Sequence, residues 1–471
     1  MTNDALAVEQ IHQNSLRLLQ ELGMAFHSGD ALAVLRSGGV RVEGDRAYFT
    51  PGQVMRAVDT AVKDFTVRAR NPRYDVRMNT EELYVTPGYG SPYVCEADGT
   101  LRTAVMEDFL KLAVIVQESD VFSINGGILA QPGDIDPAIA AETMVYATLC
   151  RSNKALFSVC DGKSQAENIL ELLRIVFGGM LPPEPVSFHL ISTLSPLAIG
   201  GNALDTIGVF APAGQCMVLA PGPMAGGTGP ISPAGNVSLA NAEILAANVF
   251  TQLLAPGTPV VYGFAATVSD LRDMKVSNAC PGFVVESKYG ALMAKKYGFA
   301  CRSGGGMSDA GGLTAQAGTE TAMSLFESFS QKANLVMHAT GSLNSFNAVS
   351  LEKFVMDTET IDRMRFYFRD LDVDEDALAF DVIRDVVEDG ESFILHEHTL
   401  EHCRQDQWIS QVSLHGPAKG EPNAELYASI RRRIDKLLAS YHRPPMDEGV
   451  RSALDRKMRT LGLAEAFIAQ I

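Results

Sequence analysis

Seven short apolar runs recur along the middle of the chain, and their spacing constrains the fold more than any other feature. They are VFSINGGIL (121–129), ALFSVC (155–160), VSFHLIS (186–192), QCMVLA (215–220), PVVYGFA (260–266), GFACRSG (298–304) and NLVMHAT (334–340). Their centres lie roughly 30 to 45 residues apart, the length of one strand-plus-helix unit. Segments such as SQAENILELLRIVF and SLANAEILAANVFTQLL fill the gaps with helical patterning. Continuous apolar strands alternating with amphipathic helices describe a parallel sheet covered on its faces. Seven units approach the eight of a closed ring, so the spacing predicts an α/β fold of the TIM-type (β/α)8 class. NSFNAVS (344–350) is the candidate for the eighth strand, although it follows the seventh unusually closely.

Three parts are expected: a mixed α/β N-terminal elaboration over 1–105, the TIM-type barrel over 106–383, and a C-terminal helical extension over 384–471. In the first, Ile11, Ser15, Leu18 and Leu22 form one helical stripe that Gly23 can stop. GVRVEG and RAYFTP read as a hairpin, Thr50 and Pro51 cap and start the next helix, and EELYVTP and SPYVCEADG read as a further strand pair. In the last, Leu426, Ile430, Ile434 and Leu438 follow helical spacing. Exposed on the isolated barrel, that stripe would favour a homo-oligomer.

Composition narrows the partners. A net charge of -17 argues against a nonspecific grip on nucleic acid or an anionic membrane. The start MTNDALAVEQIHQNS lacks the basic region and apolar core of a secretion signal. No run supplies the roughly 18 uncharged apolar residues that a spanning helix needs. Seven scattered cysteines without a CxxC suit reduced thiols in a cytoplasm.

In a barrel, ligand groups lie at the carboxyl ends of the strands. Glycines crowd the segments after several predicted strands: NGG at 125–127, PGPMAGGTGP at 221–230 with Gly226 and Gly227, GGGMSDAGG with Gly304, Gly305 and Gly306, and GSLNS at 341–345. None carries the Gly-Lys-Ser/Thr ending of a phosphate loop, and GGGMSDAGG does not fit GxGxxG. The glycines are either ordinary turn residues or an open face that a large flat partner can approach. Aromatic and polar residues accompany them: Tyr89 and Tyr93 in TPGYGSPY, Tyr262 and Phe264 in the fifth run, His338 at the end of the seventh, and Phe346 after it. Such rings either pack a core or face a quaternary ammonium, each face contributing roughly 0.5–2 kcal/mol. Arg302, directly after the sixth run, is a candidate carboxylate anchor. Asp309 could orient that pocket or balance a cationic ligand, and Asn125 and Gln215 need partners if buried. HTLEH (398–402) matches the HxxEH pattern of inverted zinc proteases, but no third ligand is visible in the polar HEHTLEHCRQDQW, so no metal site is expected and a solvated or interface helix is the reading. No GxSxG elbow supports Ser277 or Ser303 as a nucleophile, and Lys275 lies in a charged segment rather than an apolar lysine pocket.

CRSGGGMSDAGGLTAQAGTE (301–320), NLVMHATGSLNSFNAVSLEKFVMDTE (334–359) and HEHTLEHCR (396–404) together resemble the trimethylamine methyltransferase (MttB-like) family of corrinoid-dependent methyltransferases. The resemblance extends from the N-terminal helix to the C-terminal tail. It implies a barrel enzyme that moves a methyl group from a methylated amine to the Co(I) corrinoid (cobalamin) of a separate corrinoid protein, with no tightly bound cofactor of its own. The family's trimethylamine enzymes carry pyrrolysine and this chain has none, which points away from trimethylamine and toward a small quaternary amine. Glycine betaine is the leading substrate; proline betaine, carnitine or a non-catalytic betaine-binding role are the alternatives. On that reading Tyr89, Tyr93, Phe264 and Phe346 face the ammonium, His338 lies near the reacting group, Arg302 clamps the carboxylate, Asp309 orients that pocket or balances the cationic end, and the glycines at 226–227 and 304–306 face the corrinoid.

Overall fold

The computed structural model describes residues 3–78, 83–390 and 392–471. Its centre is an eight-stranded parallel sheet curled into a TIM-type barrel and surrounded by helices. In chain order the barrel strands are β1 (Tyr84–Val85), β2 (Ile124–Gly126), β3 (Ala155–Ser158), β4 (Ser187–Ile191), β5 (Cys216–Leu219), β6 (Val260–Gly263), β7 (Ala300–Gly304) and β8 (Leu335–Met337). Parallel pairing runs from β2 through β8, and β8 then pairs with β1 in the register Leu335 to Tyr84. Just beyond the strands, the Gly90 N–H donates to the Ile128 carbonyl at 2.7 Å and links the β1 side to the β2 side.

The missing strand therefore comes from the N-terminal part of the chain, not from NSFNAVS. That segment turns back on itself: Ser342–Leu343 and Ala348–Val349 pair antiparallel, and the second strand lies beside Tyr93–Cys95. EELYVTP and SPYVCEADG accordingly do not pair with each other; the first supplies β1 and the second pairs antiparallel with Leu101–Thr103. Glu81 and Glu82 of EELYVTP lie outside the described residues.

Side-chain alternation divides each strand between two cores. Ile124, Phe157, Phe188, Val218, Val261, Ala300 and Leu335 fill the barrel interior, where they meet Phe65, Val67, Val76 and Met78 from an antiparallel hairpin. That hairpin plugs the end at which the strands begin: Arg68 N–H donates to the Pro185 carbonyl just before β4. The opposite end is left to the loops that follow the strands. Outward residues such as Val260, Tyr262 and Val336 pack under the helices. The helix Pro233–Leu254 is long and apolar enough to cross a bilayer, but 89% of its apolar stretch is buried against the rest of the protein.

Two further expectations change for local reasons. The first helix, Asn3–Arg17, widens into a π-helical turn over Leu18–Leu22 before Gly23 at φ +66°. One extra residue in that turn rotates the stripe, so Leu19 is buried while Leu22 is exposed. The C-terminal stripe folds back on its own chain: Ile430 and Ile434 are buried, and their helix, Pro422–Ala439, packs on Leu351–Tyr367 and Met106–Glu118. It is not an exposed face for a second copy. The hairpin Arg41–Glu43 with Arg46–Tyr48 and the Thr50 capping box are as the sequence predicts.

Candidate active site

Arg302 enters the barrel because β7 alternates. Ala300 belongs to the interior cluster, so Arg302 two residues later points to the same side near the carboxyl end of the strand. It is 4% exposed; one guanidinium N–H donates to the Phe264 carbonyl at 2.5 Å, while Nε has no partner among the described residues. Burial lowers its pKa to about 10, which still leaves it cationic at neutral pH.

A row of aromatic rings leads to His338, which feels the Arg302 charge. Phe188 stacks on Phe157 at 5.9 Å, Phe157 meets Tyr89 edge-on at 5.9 Å, Tyr89 meets His338 edge-on at 6.0 Å, and His338 lies 4.6 Å from Phe346. His338 follows the inward Met337 and would face outward by simple alternation. Its φ of +54° breaks the strand and brings the ring toward Tyr89 and Phe346. Burial, reinforced by the Arg302 charge, holds this imidazole well below its ordinary pKa, so it is neutral, and its Nδ1 has no partner among the described residues. Thr86 Oγ1 after β1 and Thr340 Oγ1 after β8 are likewise buried and unpartnered. Each such group forgoes about 1–3 kcal/mol unless a ligand or water satisfies it, and these four lie near the carboxyl ends of β1, β7 and β8, which makes that end the candidate site.

The remaining candidates separate. Asp309 accepts from Ser277 Oγ at 2.5 Å, Asn278 N–H at 3.0 Å and Ser345 Oγ at 2.7 Å, tying together the loops after β6, β7 and β8. It fixes the loop that carries Phe346. The Phe264 ring shares the outward parity of Val260 and Tyr262 and packs on Gly290 of an outer helix; only its carbonyl reaches Arg302. Tyr93 sits in the small sheet and is 43% exposed. Tyr262 donates to Asn241 outside the barrel, and Asn125 and Gln215 spend their amides on backbone groups. Lys275 is an exposed partner of Asp273.

The glycines have specific tasks. Gly304, Gly305 and Gly306 are buried, and a Cβ on Gly306 would lie 2.0 Å from the Ala339 carbonyl oxygen, so internal packing alone requires them to be slim. Gly227 is exposed and Gly226 half-buried in the loop after β5. Gly127, at φ +74°, makes room for Tyr89, whose ring would lie 2.5 Å from an added Cβ. Gly127→Ala is therefore expected to destabilise the protein by at least about 1–2 kcal/mol through the left-handed backbone alone. Urea unfolding checks this, and adding Tyr89→Ala should recover only the collision part of the loss.

Sequence reasoning passed over two features. Asn278 is fully buried at the loop junction held by Asp309, and its side-chain amide has no partner among the described residues. Lys353, wholly buried, donates to the Gly306 carbonyl at 2.8 Å, Thr321 Oγ1 at 2.9 Å and Asp357 Oδ2 at 2.6 Å. Asp357 Oδ2 in turn accepts from Gly341 N–H at 2.7 Å, so one ion pair locks the loop after β7 to the loop after β8. The i,i+4 spacing in LEKFVMD was the available signal for that pair.

A barrel closed at one end, with a buried cation and neutral aromatic groups at the other, defines the class: a TIM-type (β/α)8 barrel with a candidate site at its strand ends. The comparisons then place the chain. A family model described as Trimethylamine methyltransferase (MTTB) matches residues 2–460, and the chain belongs to this methyltransferase family. It is 35% identical to the glycine betaine methyltransferase of Desulfitobacterium hafniense (strain Y51), over 98% of this chain and 95% of the relative. It is 26% identical to the proline betaine:corrinoid methyltransferase of Eubacterium limosum, covering 95% of each. Among solved structures, the Methanosarcina barkeri monomethylamine methyltransferase is similar in fold, with a TM-score of 0.54 at 11% identity over 91% of this chain and 87% of that one.

Proposed function

We propose that this methyltransferase takes one methyl group from glycine betaine and delivers it to the Co(I) corrinoid of a separate protein. The observation that carries the reading is a buried, partly unsatisfied Arg302 whose charge acts on His338, the ring that joins Tyr89 to Phe346. A betaine is a carboxylate joined to a trimethylammonium, and these groups complement its two ends. The planar guanidinium fork suits a carboxylate. Ring faces attract an ammonium that has no N–H to donate, contributing roughly 0.5–2 kcal/mol each. A neutral His338 adds to that surface, whereas an imidazolium would repel the substrate.

The substrate nitrogen already bears the positive charge, so it departs as a neutral tertiary amine, keeping the electron pair of the broken C–N bond. Co(I) supplies the pair for the new bond to the methyl carbon. No proton has to move, and the chain's residues are asked only to align the ammonium with the open end of the barrel. The exposed Gly227 and neighbouring Gly226 lie in one of the loops the acceptor would pass. Free thiols on the cysteines fit a reducing cytoplasm.

Incubation with glycine betaine and a reduced corrinoid protein should yield dimethylglycine in step with loss of the Co(I) absorption. Turnover of proline betaine or carnitine instead would keep the reaction class and remove the substrate. Betaine binding without any product would make the chain a binding protein.

A further inference from the structure

The segment HEHTLEHCR lies far along the chain from the strand ends and plays no part in the proposed reaction, yet it is organised around ligand atoms. His398 and His402, on the short helix Glu397–His402, stack their rings 4.0 Å apart at an interplanar angle of 19°. Asp376, from the helix Glu375–Leu378, brings its Oδ2 to 2.9 Å from His402 Nε2. The ligand atoms of Asp376, His398 and His402 all lie within 4.8 Å of one another. On the far side of the His402 ring, Nδ1 is 2.6 Å from Asp406 Oδ2.

That last contact is informative. In the metal-free chain a protonated His402 donates to Asp406 through Nδ1 and to Asp376 through Nε2, and His398 Nε2 lies 3.1 Å from the Asp376 backbone carbonyl; a metal ion would take the place of the Nε2 proton between His402 and Asp376. A carboxylate behind a histidine is also the arrangement that orients imidazole ligands toward zinc. We propose that Asp376, His398 and His402 bind one divalent transition-metal ion of the zinc class, with Asp406 orienting His402. Two imidazoles and a carboxylate suit zinc, and three protein ligands leave a fourth position for water. The helices Glu375–Leu378 and Glu397–His402 are joined by the ion, so its role is to staple the C-terminal extension. The two histidines of the HxxEH pattern are thus ligands, completed by an aspartate from upstream, while Glu401 is not part of the cluster.

The full-length protein, stripped with a chelator and titrated with Zn2+ alone by calorimetry, should take up one ion per chain and gain thermal stability. His402→Ala and Asp376→Asn should abolish that uptake, and Asp406→Asn should weaken it about 10- to 100-fold. Circular dichroism verifies that each variant is folded, and Asp376, being exposed, can be changed without opening a core. Absence of stoichiometric uptake by the unaltered chain, or uptake that survives in folded His402→Ala and Asp376→Asn, would overturn the proposal.

Discussion

Arg302→Gln is expected to raise the KM for glycine betaine by about 30-fold to several thousand-fold, following the roughly 2–5 kcal/mol lost when one partner of a buried charge pair is truncated. The carboxylate is remote from the C–N bond and unchanged in the transition state. Its loss is therefore of uniform binding, and kcat should fall much less. Arg302→Lys keeps the charge without the fork and should lie between. Tetramethylammonium, which has no carboxylate, discriminates this role from a merely structural one: its inhibition constant should be almost the same for Arg302→Gln and the unaltered chain. Equal weakening of both ligands would mean that Arg302 only supports the barrel through the Phe264 carbonyl.

Lys353→Met carries the largest expected effect on folding. It leaves Asp357 buried without its cation and deprives the Gly306 carbonyl of a donor. Breaking a buried ion pair from one side costs about 3–5 kcal/mol. Chemical denaturation should show that loss. The double variant Lys353→Met/Asp357→Leu should be markedly more stable than Lys353→Met alone, because no uncompensated charge remains. Both variants should also weaken betaine binding, since the pair holds the loops that present His338 and Phe346.

The barrel was legible because the strands β2 to β8 all fall within the apolar runs of the sequence. Strand β1 was not: Tyr84–Val85 is two residues long, with an inward tyrosine, and its identity depends on pairing with Leu335–Val336 far away in sequence. No local pattern carries that information. Arg302 was read as following the sixth run, whereas it lies within β7, two residues after the inward Ala300. Phe264 was read too generously, since counting outward from the inward Val261 already sends it away from the interior. His338 shows the opposite case, where a left-handed residue overrides alternation and only the folded backbone reveals its direction. Lys353 and Asp357 were visible as a helical pair, but two opposite charges one turn apart ordinarily mean a solvated helix face, and their burial depends on loops from other strands. The HTLEH histidines were equally visible, while Asp376 joins them only through tertiary folding.

A crystal structure of the protein with glycine betaine tests the assignment of the site most directly. The carboxylate should lie within hydrogen-bonding distance of the Arg302 guanidinium, with the trimethylammonium against Tyr89, His338 and Phe346 and one methyl group directed out of the barrel mouth. A betaine bound with its carboxylate away from Arg302, or with its methyl groups sealed from the loops at 221–230 and 304–312, would contradict it.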